Sequence, residues 1–224
     1  MSDQLIAPPT DRSVAARRVS LQRAETRGPA AVGPSAVGPS AVAPSAVGPS
    51  GVVPAGRIPP LATEILADIA VGLGQATALW RSHVDHDPLS RTAVRLVATD
   101  VYEAWLLGWT PTQRVELHDH GGANAAFVVL EGELTEISLA ASGPTAERLG
   151  VDAVGTVPAG VVHDVLNPGP SNATSLHVYS YPLRTMTFFD RDGTPTYSEI
   201  VEQVPALVTS ASQARALHPS RRGR

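Results

Sequence analysis

The chain carries the stretch Leu117-His118-Asp119-His120 near its middle. Side chains alternate between the two faces of an extended strand, so His118 and His120 point the same way and can bind one metal together. A second stretch would bring His163 to the same site as a third imidazole, and it reads Pro158-Ala159-Gly160-Val161-Val162-His163-Asp164-Val165-Leu166-Asn167. Imidazole ligands suit zinc, copper, iron and nickel, so the two stretches predict a metal site but leave the metal open.

Composition excludes several kinds of chemistry. The 224 residues include no cysteine, which excludes disulfides, zinc-thiolate sites and a cysteine nucleophile. All 17 basic residues are arginine, so no lysine is present for a Schiff base or a P-loop. A formal net charge of -4 gives no reason to expect a nucleic-acid partner.

No apolar run reaches the ~20 residues that are needed to cross a bilayer. The first residues also lack the apolar core of a signal peptide. We therefore expect a cytoplasmic protein with no membrane partner. We also expect it to be a monomer.

The N-terminal quarter of the chain is repetitive. It contains the unit Ala31-Val32-Gly33-Pro34-Ser35 and three further copies up to Ser50, one with alanine in place of glycine. Proline at every fifth residue removes a backbone donor and prevents a sustained helix or central strand. We predict a disordered tail over 1–56, one domain over 57–209 and a disordered basic tail over 210–224.

The predicted domain begins with a helical segment and continues in strands. Apolar residues recur at helical spacing between 61 and 80, which predicts a helix that packs on the outside of a barrel. Later segments are rich in β-branched and aromatic residues and are separated by turn residues, which predicts strands. These predicted strands span 101–109, 114–120, 125–130, 133–139, 153–158, 163–167, 174–181 and 185–189. Many short strands without interleaved helices indicate an antiparallel barrel or sandwich.

A second polar group of residues occurs in Ser175-Leu176-His177-Val178-Tyr179-Ser180. By strand alternation, Ser175, His177 and Tyr179 share one face. If this face points into the barrel, it forms a hydrogen-bonded relay that ends in a phenol. The alternative is that the polar face meets solvent, which the apolar residues on the opposite face favour.

Taken together, these motifs resemble the cysteine dioxygenase family, which are mononuclear non-haem iron enzymes of the cupin superfamily. The resemblance rests on the first histidine pair, on the spacing of the second motif, on the relay stretch and on Leu130-Glu131-Gly132. It implies an all-β fold, a cupin-type antiparallel β-barrel or jelly roll, with a short N-terminal helical segment.

The resemblance also assigns roles to residues. It implies that His118, His120 and His163 bind Fe(II). It implies further that Ser175, His177 and Tyr179 form a relay at the catalytic site, with the Tyr179 hydroxyl facing the substrate. The enzyme would use O₂ to oxidise a small thiol to a sulfinic acid.

Two positions depart from the related proteins. The carboxylate ligand that cupins usually carry four residues after the second histidine is replaced by Asn124, although Glu116 is expected on the same strand face as His118. Animal members of the family join a cysteine to the site tyrosine, and the corresponding position here is Ala125. The cross-link therefore cannot form, as in many bacterial relatives.

Family members place an arginine upstream of the first motif, where it binds the substrate carboxylate. Arg95 is the best match, and Arg91 is the alternative. L-cysteine is the favoured substrate, with 3-mercaptopropionate or another small thiol as the alternative within this class. A non-catalytic or isomerase-type metal-binding cupin is the alternative from a different class, because a fold does not determine a function.

Overall fold

The computed structural model describes residues 59–140 and 143–209, in which two short helices precede a series of strands. The helices are α1 (Thr63–Gln75) and α2 (Thr77–Trp80), and a 3-10 turn follows at Arg81–His83. The strands are β1 (Thr92–Ala98), β2 (Glu103–Trp109), β3 (Arg114–His118), β4 (Asn124–Glu131), β5 (Leu134–Ala140), β6 (Gly143–Leu149), β7 (Val154–Val157), β8 (His163–Leu166), β9 (Ala173–Ser180), β10 (Thr185–Phe189), β11 (Pro195–Ile200) and β12 (Val208–Thr209). No helix in these ranges is long and apolar enough to span a membrane.

The strands form two six-stranded sheets. The first sheet has the order β12-β1-β2-β9-β4-β7, and the second has the order β11-β10-β3-β8-β5-β6. All neighbouring strands are antiparallel except β1 and β12, which are parallel. The chain passes repeatedly from one sheet to the other, so strands distant in sequence become neighbours. This arrangement confirms the predicted all-β, antiparallel jelly-roll fold.

The core has two layers, one on each side of the first sheet. The inner layer fills the space between the sheets and includes Trp109, Phe127 and Tyr179. The outer layer lies between the first sheet and α1, and there Leu66 packs with Leu176 of β9. Hence both faces of β9 are buried, and the helix covers the outside of the barrel as predicted.

Several boundaries differ from the sequence expectations. The helical segment is not continuous, because α1 ends at Gln75 and a short second helix begins at Thr77. The strands β1, β6, β11 and β12 were not predicted. β6 and β11 are mostly exposed along their length, so they lack the apolar alternation that marks a strand in sequence. The predicted tails fall in 1–58 and 210–224, which lie outside the described residues.

Candidate metal centre and its hydrogen-bond relay

The three predicted ligand histidines come together inside the barrel. His118 ends β3 and His163 begins β8, and these two residues are direct partners in the pairing of the strands. His120 follows in the loop after β3. One ring nitrogen from each residue lies within 4.8 Å of the others, and the Nε2 atoms of His120 and His163 are 3.3 Å apart. All three side chains are buried.

The turn before β8 explains why the second motif has a glycine. The Val161 N–H donates to the Pro158 carbonyl at 3.1 Å, and Gly160 between them has φ 80°. A positive φ is disfavoured for residues with a Cβ atom, so glycine is suited to this turn. The turn brings the chain into β8 with His163 facing the other two histidines.

Two of the three histidines have a hydrogen-bond partner on the ring nitrogen that faces away from the cluster. The His118 Nδ1 bonds to the Glu116 carbonyl at 2.8 Å, and the His163 Nδ1 bonds to the Glu136 carboxylate at 2.7 Å. The His120 Nδ1 is buried without a partner among the described residues. Since these acceptors require an N–H at Nδ1, the Nε2 atoms of His118 and His163 carry lone pairs.

The electrostatics of the cluster suit a cation. Burial lowers the pKa of His118 well below its usual value, and the neighbouring His163 lowers it further. Burial likewise lowers the pKa of His120, with further lowering by His118 and His163. The ring nitrogens of the three residues lie within 4.8 Å of one another, a spacing that one ion between them can bridge. The residues present therefore fit a bound divalent metal.

Neither of the two other residues considered as a source of ligands joins this cluster. The Glu116 side chain is exposed, because the pairing of β3 with β8 shifts between Val115 and His118 and breaks the alternation expected along β3. Asn124 instead connects two loops. Its Nδ2 donates to the Leu61 carbonyl at 2.9 Å, and its Oδ1 accepts from the Ala159 N–H at 2.9 Å.

The polar face of β9 points into the barrel and forms a continuous chain of contacts. The Trp109 indole Nε1 donates to the Ser175 Oγ at 2.8 Å. The Ser175 Oγ lies 2.9 Å from the His177 Nε2, and the His177 Nδ1 lies 3.5 Å from the Tyr179 hydroxyl. All of these side chains are buried, and the Tyr179 ring is 5.1 Å from the His120 ring. The alternative of a solvent-exposed face is wrong.

The direction of this relay follows from its donors. An indole N–H can only donate, so the Ser175 oxygen accepts from Trp109 and its own proton goes to the His177 Nε2. No other acceptor for that proton occurs among the described residues. Burial lowers the pKa of His177 to about 3, with further lowering by His163 and Arg91, so the ring is neutral. Its single N–H is then at Nδ1 and faces the Tyr179 oxygen.

Tyr179 remains a phenol at the end of the relay. Burial raises its pKa, and the Glu103 carboxylate raises it further, whereas the Arg91 charge lowers it. Because His177 donates to its oxygen, the Tyr179 proton is left to point away from the relay. Directly opposite Tyr179 on β4 lies Ala125, which agrees with the absence of a cross-link.

Arg95 lies on the inner face of β1, but its guanidinium is bound by other groups. It forms an ion pair with Glu103 at 2.6 Å, a close charge contact that is not aligned as a hydrogen bond. It also donates to the Val204 carbonyl at 3.0 Å and to the Gln203 Oε1 at 3.1 Å. Glu103 is fully buried, so a substrate carboxylate would have to displace a buried anion to reach Arg95.

Arg91 immediately precedes β1, and its charge acts on His118, His177 and Tyr179. Its guanidinium carbon is 5.1 Å from the centre of the Trp109 ring, the first member of the relay. Its Nη1 donates to the Arg114 carbonyl at 3.3 Å. Its buried Nε has no hydrogen-bond partner among the described residues, and the same is true of the Arg95 Nε, so the difference between the two arginines lies in the ion pair of Arg95 with Glu103. Burial lowers the pKa of Arg91 to about 10, so it stays charged at neutral pH. The geometry favours Arg91 over Arg95 as the cation available to a ligand.

One wall of the same region is formed by β10 and β11. The Phe188 ring lies 5.9 Å from the His118 ring and stacks on Tyr197 at 4.6 Å. Glu199 is two residues beyond Tyr197 and opposite Met186, so it faces the same side. Its Oε2 is buried without a hydrogen-bond partner among the described residues. Burial raises the pKa of Glu199, and the Arg91 charge opposes that rise.

Sequence reasoning did not find Trp109, Glu136 or Glu199. Glu136 left a signal that could have been used, because it lies two residues after the buried Leu134 and hence at an inward position of β5. The other two residues reach the site through strand pairings that no local pattern predicts.

The fold and the site define a metal-binding cupin. Residues 62–192 match the family model described as cysteine dioxygenase type I, and this chain therefore belongs to that family. Among solved structures, the chain is 22% identical to TT1209 from Thermus thermophilus, with a TM-score of 0.42 over 46% of this chain and 93% of that one. It is 16% identical to a cupin superfamily protein from Desulfitobacterium hafniense, with a TM-score of 0.40 over 46% of this chain and 87% of that one. These structures are too distant to inform the chemistry.

Proposed function

We propose that this protein is a mononuclear non-haem Fe(II) thiol dioxygenase that oxidises L-cysteine to cysteine sulfinic acid. The observation that carries the proposal is the buried three-histidine centre with the relay phenol beside it, in a chain of this family. In the reaction, one thiol and one O₂ give one sulfinic acid. Both oxygen atoms become bonded to sulfur, which is oxidised, and no other reductant is needed.

The three histidines would hold the iron through their converging ring nitrogens. A bound Fe(II) would supply the redox chemistry that allows a thiol to react with O₂. Tyr179 is placed to donate a hydrogen bond to the reacting groups, because His177 occupies its oxygen and leaves its proton free. The buried surroundings exclude water, so the protein contributes mainly position and orientation.

The substrate carboxylate is assigned to Arg91. A guanidinium can bind a carboxylate through two parallel N–H groups, and the buried Nε of Arg91 is available for such a contact. Glu199 adds a buried carboxylate oxygen on the same side of the barrel, within the electrostatic reach of Arg91. A positive and a negative group in electrostatic contact with each other suit a zwitterion. This pair favours cysteine over 3-mercaptopropionate, which has no ammonium group.

The test is O₂ consumption by protein loaded anaerobically with Fe(II) and offered L-cysteine, 3-mercaptopropionate and cysteamine in turn. We expect the highest kcat/KM for L-cysteine and the incorporation of both atoms of ¹⁸O₂ into the product, measured by mass spectrometry. His163→Ala serves as the control and should lose both iron and O₂ consumption.

Two results would change the proposal. Faster turnover of 3-mercaptopropionate would replace cysteine as the substrate. No thiol-dependent O₂ consumption by the iron-loaded protein would refute dioxygenase activity and favour a non-catalytic or isomerase-type cupin.

A further inference from the structure

Glu136 is a buried carboxylate in the interior of the barrel with no role in the proposed reaction. It lies in β5, and only 7% of its surface is exposed. Its Oε1 is 2.7 Å from the Nδ1 of His163, which is itself 2% exposed. In the second sheet β8 lies between β3 and β5 and pairs with both. The contact between Glu136 and His163 therefore joins two neighbouring strands and does not depend on a loop.

This contact determines which nitrogen of His163 is available. A carboxylate only accepts, so the proton of neutral His163 must be at Nδ1 and the lone pair at Nε2. The Nε2 atom is the one that lies 3.3 Å from the Nε2 of His120. Glu136 therefore holds His163 in the tautomer that presents its lone pair to the ion.

The same contact also supplies charge. The three histidines are neutral ligands and leave a divalent ion with its full double charge, while Asn124 and Glu116 bring no carboxylate to the cluster. The three ring contacts are not equivalent, since His118 bonds to a backbone carbonyl and His120 has no partner at Nδ1 among the described residues. Glu136 thus places one negative charge a single hydrogen bond away from a ligand of the ion.

We propose that Glu136 is a positioning residue that sets the His163 tautomer and partly compensates the charge of the metal. The proposal rests on the metal centre of the proposed function and adds a residue that controls how tightly the ion is held. A carboxylate bonded to a ligand imidazole raises the basicity of the ring, and loss of such a partner typically lowers metal affinity about 10- to 100-fold.

The experiment measures Co(II) affinity, through visible absorption and chelator competition, without thiol or O₂. Glu136→Ala should lose roughly 100-fold in affinity, and Glu136→Gln, which keeps an acceptor but no charge, should lose roughly tenfold. The ¹⁵N chemical shifts of His163 in the metal-free protein should report a protonated Nδ1 in wild type and in Glu136→Gln. The matched control is Glu147→Gln, because Glu147 lies directly opposite Glu136 on β6 and is exposed. It should bind Co(II) like wild type.

Glu136→Gln has nearly the same shape as the wild type, so it decides the question even where Glu136→Ala fails to fold. Wild-type Co(II) affinity in the folded glutamine variant would overturn the proposal. In the iron-loaded protein, the same variant should have a more positive Fe(III)/Fe(II) midpoint potential, since a negative charge near the ion has been removed. A protein that binds Co(II) as expected but oxidises no thiol would refute the proposed function and leave the role of Glu136 standing.

Discussion

Replacement of Arg95 and of Arg91 by alanine should affect different properties of the protein. Arg95→Ala removes the only ion-pair partner of Glu103 among the described residues and leaves this fully buried carboxylate with the Leu183 N–H as its hydrogen-bond donor. An unpaired buried charge typically costs about 3 to 5 kcal/mol of stability. For a domain of this size, 1 kcal/mol corresponds to roughly 2 to 4 °C, so the melting temperature should fall by about 6 to 20 °C.

Arg91→Ala removes a guanidinium with one backbone hydrogen bond and one contact with an aromatic ring. If Arg91 binds the substrate carboxylate, its loss leaves that anion unpaired, which costs about 2 to 5 kcal/mol. The lower limit corresponds to a roughly 30-fold rise in KM for cysteine. Cysteamine has no carboxylate, so its KM should change little.

The assays are thermal unfolding of the metal-free proteins and O₂ consumption with both thiols. Arg148→Ala is the control for stability, because Arg148 pairs with Glu133 at 2.8 Å on the surface, where such a pair contributes about 0 to 1 kcal/mol. An Arg95→Ala protein that melts like wild type but has a steeply raised KM for cysteine only would refute the reasoning. It would return the carboxylate contact to Arg95.

Two other properties can be tested in the same way. The pKa of His177 is about 3 in the folded protein and about 6.5 when unfolded, so the unfolded state binds the extra proton between these values and stability falls as the pH is lowered. Between pH 8 and pH 5.5 this group should lower the free energy of unfolding of the metal-free protein by about 1.4 kcal/mol. Urea unfolding of His177→Asn should show a pH dependence that is smaller by this amount. An equal pH dependence in both proteins would contradict the assignment. A Cβ at Gly155 would overlap the Phe127 ring, which stacks on His177 at 4.8 Å, so Gly155→Ala should cost about 1 to 3 kcal/mol and reduce turnover. Gly72→Ala in α1 meets nothing within 4 Å and should stabilise the protein by roughly 0.5 to 1 kcal/mol, so equal effects of the two substitutions would count against a packing origin.

The parts of the site that sequence alone predicts are those set by local spacing. The pair His118 and His120 was predicted from alternation along a strand through 120; the two residues do meet, although β3 ends at His118 and His120 lies in the loop that follows. The inward face of β9 needed only alternation. Local spacing could not decide between Arg91 and Arg95, because the two residues are four positions apart and strand alternation places them on the same face. The choice depends on Glu103, which reaches Arg95 only because β2 pairs with β1 in a particular register.

The same limit applies to the fold. Most strands with a buried face were predicted within a few residues of their true ends, because apolar alternation is a sign of burial, but the largely buried β1 was missed. The exposed strands β6 and β11 have no apolar alternation, so they were not predicted, and Glu199 on β11 was missed with them. The contact between Glu136 and His163 joins residues 27 apart in sequence, and a register shift of one position would abolish it.

The direction of the relay has a consequence for proton movement. All of its hydrogens point from Trp109 toward Tyr179, and the first donor is an indole that does not ionise in water. The relay therefore begins at Trp109, a group that does not give its proton up to solvent. It can polarise the Tyr179 hydroxyl, but it cannot bring a proton from solvent to replace one that the phenol has given away. Any such proton must reach Tyr179 by another route than this relay.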